Sequence, residues 1–346
     1  MKAIIFCNGT PKELLPITYT IPKELLPIAN KPLIIYTIEF LLNAGIGDIG
    51  IVTNGNSQLL FRKIIKKYFL NDFYYIIQDD LHKTNYITSL IKEFIKDEDF
   101  LMILGNNSFK FNLKDVLIDF QKSKCHCKIL LKKVRYPEFY NVAYISGNKI
   151  LELEKKPKVS FSDLAITGMY IFNNDSLKAF KEHIDTIDFI KFLLYNEYNV
   201  SYEILNGYWR EIRTPLDILE ENIHRLNSIA EYMKGEIVNS HISGKVILEE
   251  GVVVYNSTIR GPVIVDENSI IKNSYIGPYT TIGKTVSIEQ SNVENSIILN
   301  GCSISEVKDT IDSSIIGEKS IIKGENVLKR TNRLIVGRNS KVFLKK

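Results

Sequence analysis

Val246 to Gln290 reads VILEEGVVVYNSTIRGPVIVDENSIIKNSYIGPYTTIGKTVSIEQ. In it Val246, Val252, Ile264, Ile270, Ile276, Ile282 and Ile288 recur at a spacing of six, with Thr258 the single non-aliphatic member of the series. Asn, Ser and Gly fill the steps between, as in Asn273-Ser274-Tyr275-Ile276-Gly277. A period of six with small polar corners marks a parallel β-helix, in which each aliphatic side chain points into a triangular prism and stacks on its counterpart one coil away. Three hexads make a coil, so the stretch from about 236 to 320 supplies about four to five coils. Looser Ile-rich text, from Ser313-Ser314-Ile315-Ile316-Gly317 onward, continues to residue 346. This half reads as architecture rather than as a second catalytic centre. Acyl transfer from a β-helix wants a general base, usually His, facing a coil. Of His82, His126, His183, His224 and His241, only the last falls near the repeats. Open coil ends need caps or partners, which makes a homo-oligomer the expected state.

Upstream of Gly235 the texture is different. Short apolar runs alternate with helical patterns, the βαβα order of a parallel sheet flanked by helices. Strands are predicted over 2–7, 49–53, 73–78, 100–105, 128–134, 166–172 and 200–212, with a hairpin over 142–154 turning at Ser146-Gly147-Asn148. Helices are predicted over 31–43, stopped by Gly45, and over 58–69, 85–95 and 113–123. A last, long helix starts at Thr214-Pro215, a Thr cap before Pro, and ends near Met233. The chain of 346 residues thus divides into a Rossmann-like α/β domain, 1–235, and a β-helix domain, 236–346.

Composition removes several classes. At 45% hydrophobic and 24% charged the chain is neither collagen-like nor disordered. A net charge of +4 lacks the clustered basic footprint of a dedicated nucleic-acid binder. The most apolar stretch, 14–42, is broken by Lys23, Glu24, Lys31, Glu39 and four prolines, so no membrane span is expected. MKAIIF is too short for a signal peptide, and a cytoplasmic location is expected. Cys7, Cys125, Cys127 and Cys302 are scattered, which fits reduced structural thiols; Cys125-His126-Cys127 has no second ligand pair for a metal.

In an open parallel sheet, ligands sit beyond the carboxyl ends of the strands, so the loop after the first strand draws attention. MKAIIFCNGTPKELLPITYTIPKELLPIANKPLI resembles the N-terminus of the sugar-1-phosphate nucleotidylyltransferases. The resemblance extends through Ile77-Gln78, Ile103-Leu104-Gly105, Leu153-Glu154-Lys155-Lys156-Pro157, Ile166-Thr167-Gly168 and Gly207-Tyr208-Trp209. The tail is similar to that of the long form of glucose-1-phosphate thymidylyltransferase, down to Val293-Glu294-Asn295-Ser296-Ile297 and Arg333-Leu334-Ile335-Val336-Gly337. It implies that the β-helix is left-handed, and a reaction in which a nucleoside triphosphate and a sugar 1-phosphate give an NDP-sugar and pyrophosphate with Mg²⁺. Such chemistry needs positioning and electrostatics and no covalent intermediate.

Several positions fit what the resemblance implies. Lys23 corresponds to a catalytic phosphate-binding lysine and Lys156 to a sugar-phosphate lysine. Gly9, Lys12, Gln78 and Gly105 fall in the nucleotide-binding set, with Gln78 at the base-reading amide, and Asn141, Lys155, Lys156 and Ile166 in the sugar-binding set. Others depart from the pattern. Where the family's loop reads G-G-x-G-T-R-L, this chain has Asn8-Gly9-Thr10-Pro11-Lys12-Glu13-Leu14. Pro11 removes a backbone donor, and Glu13 stands at the arginine position. A unit charge about 5 Å from another, at an effective dielectric near 20, interacts by about 3 kcal/mol, and a reversal of sign doubles the difference. The metal positions are Asn106, a neutral amide where Mg²⁺ wants a carboxylate, and Glu211, with Arg213 replacing a nearby glycine. Lys83 and Asn141 stand at glycine positions and Lys155 at a glutamate position. The expected function is therefore that of a family member with weak or absent catalysis, binding nucleotide or sugar nucleotide or regulating an active homologous subunit. The alternative is an active glucose-1-phosphate thymidylyltransferase or related enzyme with altered site chemistry. Mg²⁺ is the expected cofactor if the chain is active, and none otherwise.

Overall fold

A computed structural model describes residues 1–7, 9, 12–78, 84–179, 185–324 and 334–344. The chain forms two compact units: Met1–Asn8 with Ile34–Glu211, and Gly9–Leu33 with Ile212–Lys346.

The first unit is built on a nine-stranded mixed sheet. Lys2–Cys7 lies at its centre, parallel to Ile49–Thr53 on one side and to Phe100–Leu104 on the other. Tyr74–Ile77 continues the parallel series, while Leu164–Phe172 runs antiparallel to Phe100–Leu104. Every residue of Ile49–Thr53 and of Leu164–Phe172 is buried. Burial on both faces is why these strands read as continuous apolar runs rather than as alternation. The helix Leu33–Asn43 turns Ile34, Ile35, Ile38 and Leu41 inward and ends before Gly45, whose φ of +88° suits the left-handed exit. Most expected elements are present, and the hairpin strands Val142–Ser146 and Lys149–Glu154 pair as expected.

Three expectations are corrected. The helix expected at 58 begins at Gly55, because the Asn54 side chain accepts the Ser57 N–H and caps it. The run 200–212 is two strands in different sheets. Val200–Ile204 pairs with Cys127–Lys133, and Tyr208–Glu211 pairs antiparallel with Asn107–Lys110. Gly207 lies at the switch, where a Cβ would stand 2.8 Å from Phe111 Cβ and 2.9 Å from the Lys110 carbonyl oxygen. The helix begun at Pro215 stops at Leu226, and Tyr232–Met233 is already a strand.

In the second unit, parallel strands from Tyr232 to Leu344 form three sheets, two of seven strands and one of five, consistent with a left-handed β-helix. Val246 pairs with Val263 and Val263 with Thr280, while His241 pairs with Thr258 and Thr258 with Tyr275. These coils repeat every 17 residues, one short of three hexads. A strict spacing of six therefore slips against the prism. Val246, Val252, Ile276, Ile282 and Ile288 face the core, but Ile270 is 36% exposed and its neighbour Ile271 is fully buried in its place. In the same way Ile259 replaces Thr258, and Val263 and Val265 flank an Ile264 that points away from the core cluster. The polar corners have a structural use. Asn239, Asn256, Asn273 and Gln290 turn the chain at φ between 45° and 49°. Beside them Ser240 Oγ accepts from Ser257 N, Ser257 Oγ from Ser274 N and Ser274 Oγ from Ser291 N, a ladder running from coil to coil.

Candidate functional site

The residues singled out in the sequence fall into both units. Asn8, Thr10, Pro11 and Lys83 lie outside the described residues. In the second unit, Lys12–Leu14 forms one 3₁₀ turn anchored by the buried Leu14, with Lys12 and Glu13 exposed. A further turn, Lys23–Leu25, follows Pro22. The Lys23 ammonium is largely buried and packs so closely on Gly9 that a Cβ there would lie 2.8 Å from Nζ. A methyl group there would require the lysine side chain to shift.

Sequence reasoning assigned no role to the next residue, Glu24. Its side chain is 1% exposed, Oε1 lies 3.9 Å from Lys23 Nζ, and Oε2 is buried without a hydrogen-bond partner among the described residues. Burial pushes its carboxyl up to about 7, with Lys23 and a backbone hydrogen bond opposing. Near neutral pH Lys23 thus stands beside a carboxyl that is only partly ionised. The signal was a glutamate within Pro22-Lys23-Glu24-Leu25-Leu26-Pro27, flanked by residues that bury.

In the first unit, Gly105 and Asn106 follow the strand Phe100–Leu104, and Glu211 ends the strand that pairs with Asn107–Lys110. Glu211 is registered opposite Asn107, which brings the two metal candidates together: Asn106 Nδ2 donates to Glu211 Oε1 at 3.3 Å. Asn106 Oδ1 accepts from Asn107 Nδ2 at 3.4 Å. The amide thus turns its donor towards the carboxylate. A Mg²⁺ clamp of two carboxylates does not fit this pair, since one member is neutral and already spends its NH₂ on the other. Among the described residues no group of three or more His, Cys, Asp or Glu side chains is placed to hold a metal.

Next to the pair, Asn107, Thr167 and Trp209 form a polar network that no sequence motif signals. Trp209 Nε1 donates to Asn107 Oδ1 at 2.8 Å and to the Thr167 carbonyl at 3.1 Å, and Thr167 Oγ1 donates to the Leu130 carbonyl. Gly168, at φ +77°, lets the strand bulge there, and a Cβ would meet Leu104 Cδ1 at 2.9 Å. The network holds Asn107, and through it Asn106, in a fixed rotamer.

The remaining candidates of this unit are spread along it. Gln78 follows the strand Tyr74–Ile77, its N–H bonded to the Thr53 carbonyl. Asn141 and Ile166 meet, the Ile166 N–H donating to the Asn141 carbonyl at 2.8 Å. Lys155 is held at the start of the helix Thr186–Tyr195, with Nζ 2.7 Å from Asp188 and 3.2 Å from Asp185, partners that raise its pKa. Lys156 is exposed at φ +38°. The four buried cysteines form no disulfide, and His126 Nδ1 accepts the Asn199 N–H, a structural use of the Cys-His-Cys stretch.

The profile of the nucleotidyl transferase family matches residues 2–228. The chain is 31% identical to the glucose-1-phosphate thymidylyltransferase of Streptomyces griseus, over 99% of each sequence. It is 33% identical to a low-salt glycan biosynthesis nucleotidyltransferase of Haloferax volcanii, over 99% of this chain and 100% of that one. Among solved structures it is similar to a putative glucose-1-phosphate thymidylyltransferase from Bacillus anthracis, with a TM-score of 0.60 and 27% identity, covering 67% of this chain and 98% of that one. No described helix is long and apolar enough to cross a membrane.

Proposed function

Because the chain belongs to the nucleotidyl transferase family, we propose that it binds a nucleoside triphosphate or an NDP-sugar through a domain spanning 1–235, but transfers nucleotidyl groups slowly or not at all. The carrying observation is the Asn106–Glu211 couple, an amide bonded to a carboxylate where the resemblance calls for two carboxylates. Glu13, exposed in the turn after Gly9, adds a negative charge where the reaction calls for a cation. Removing one pre-organised electrostatic group costs about 10²- to 10³-fold in rate. Two such changes together leave little turnover, even without additivity. The binding elements are better kept. Lys23 packs on Gly9 and is set to hold a phosphate, Gln78 follows the parallel edge strand Tyr74–Ile77 with its N–H on the Thr53 carbonyl, and Gly105 follows Phe100–Leu104 with its N–H on the Phe6 carbonyl. The β-helix domain, 236–346, is proposed to serve assembly, either of a homo-oligomer or with an active homologous subunit.

The test is a binding scan of dTTP, UTP, GTP, CTP and their glucose diphosphates by calorimetry, followed by a double reversion. At least one ligand is expected to bind more tightly than about 1 mM, and Glu13→Arg with Asn106→Asp is expected to raise pyrophosphate release with Mg²⁺ and glucose 1-phosphate. No binding by any ligand would leave only an assembly role.

A further inference from the structure

The turn Ala29-Asn30 closes a short ladder between Pro27–Ile28 and Lys31–Pro32, with φ of 49° and 58°. This turn is built into the β-helix unit. The side chain of Asn222, on the helix Pro215–Leu226 and fully buried, accepts the Ala29 N–H at 2.8 Å through Oδ1. The same oxygen accepts from Thr281 Oγ1 at 3.4 Å, and Nδ2 donates to the Tyr279 carbonyl at 3.2 Å. From the turn itself, Asn30 Nδ2 donates to the Ile282 carbonyl at 2.7 Å. One amide therefore ties three elements together: the N-terminal turn, the helix, and the coil at 279–282.

The tie reaches Lys23 through a short, stiff path. Leu33 N–H bonds the Leu26 carbonyl, Leu26 N–H the Lys23 carbonyl, and Leu25 N–H the Pro22 carbonyl. Leu25, Leu26 and Ile28 are buried beside it. Buried polar groups that are fully bonded fix one arrangement, because breaking any member strands the others.

We propose that Asn222 is a positioning residue for nucleotide binding, and that the β-helix, through Asn222 and the 279–282 coil, holds the Lys23 turn in the register that meets a phosphate. The inference rests on the nucleotide-binding reading above. It gives the repeat domain a part in the site beyond that of a platform, without placing any of its residues on the ligand.

The test is a double-mutant cycle on the full chain. Affinities for dTTP, UTP, GTP and CTP with Mg²⁺ are measured by calorimetry for wild type, Lys23→Ala, Asn222→Ala and the double variant. The ligand that wild type binds most tightly is followed. Asn222→Ala is expected to weaken it at least fivefold in the wild-type background and less than twofold once Lys23 is gone. That coupling is the readout that general loosening of the fold does not produce. Asn30→Gly keeps the backbone the turn needs and removes only the bond to Ile282. It is expected to reproduce the loss in weaker form, and it decides the matter if Asn222→Ala does not fold. If wild type binds neither the four triphosphates nor the corresponding NDP-glucoses, or Lys23→Ala binds as well as wild type, the nucleotide reading itself fails. If Lys23→Ala is weakened but Asn222→Ala and Asn30→Gly bind as wild type, or if the Asn222 effect persists undiminished without Lys23, the positioning role is overturned.

Discussion

Glu24 shows what a single burial can do. Its pKa rises from 4.5 to about 7 in the folded chain, so the native state holds the proton more tightly than the unfolded state does. The contribution of Glu24 to stability is therefore fully present below about 4.5 and is lost as pH rises through 7, by on the order of 3 kcal/mol in all. Glu24→Gln, which needs no ionisation, is expected to melt higher than wild type at pH 8 and about the same at pH 4.5. Parallel melting curves across that range check this, and equal pH slopes for the two proteins would count against it. Asn106 carries a complementary prediction. Asn106→Asp sets a second carboxylate against Glu211, and two such charges about 4 Å apart at an effective dielectric near 20 repel by up to about 4 kcal/mol. The variant is expected to melt lower than wild type without divalent ions and to regain stability on adding Mg²⁺, whereas wild type shows no such rescue. Scanning fluorimetry with and without Mg²⁺ separates the two outcomes.

Among the elements, the β-helix coils give the sharpest contrast between neighbours. Ile271 lies in the prism and Ile270 on its outer face. Truncating a buried isoleucine costs about 2–5 kcal/mol, and an exposed one well under 1. Ile271→Ala is therefore expected to destabilise the chain by about 3 kcal/mol and Ile270→Ala by less than 1 in urea titration; the reverse order would refute the 17-residue coil. The sequence pattern was enough to recognise the solenoid, since aliphatic residues do recur with polar corners between them. It was not enough to phase it, because each strand offers adjacent aliphatics, such as Ile270 and Ile271, and a spacing rule cannot tell which of them faces inward. The strand at 164–172 hides a different feature. Gly168 sits in a buried, mostly apolar run, and only the bulge shows why it is glycine. Gly168→Ala is expected to cost about 1–3 kcal/mol by combining a left-handed backbone with contact on Leu104. Denaturant unfolding measures it, and a neutral result would mean that the Thr167 network can shift to accept a methyl group.

At the scale of the whole molecule, the alternation of strand and helix and the shift in texture near Gly235 made both fold types legible in the sequence. The grouping of Gly9–Leu33 with the β-helix was not, because contacts between distant segments, among them the bonds of Asn222 and Asn30, carry no periodicity. The site was legible only in part, and for a related reason. Lys23, Asn106 and Glu211 stood out by their neighbours in sequence. Glu24 and the Asn107–Thr167–Trp209 network become visible only once burial and cross-strand register are known. The family fold is established; the proposal built on it is that binding residues are kept while charges at the reacting centre are exchanged. The direct measurement is pyrophosphate release by the purified chain with Mg²⁺, glucose 1-phosphate and the tightest-binding nucleoside triphosphate at saturation. Turnover well below about 1 s⁻¹, the low end of ordinary enzymes, is the predicted result, and turnover at or above that rate would contradict the impaired site.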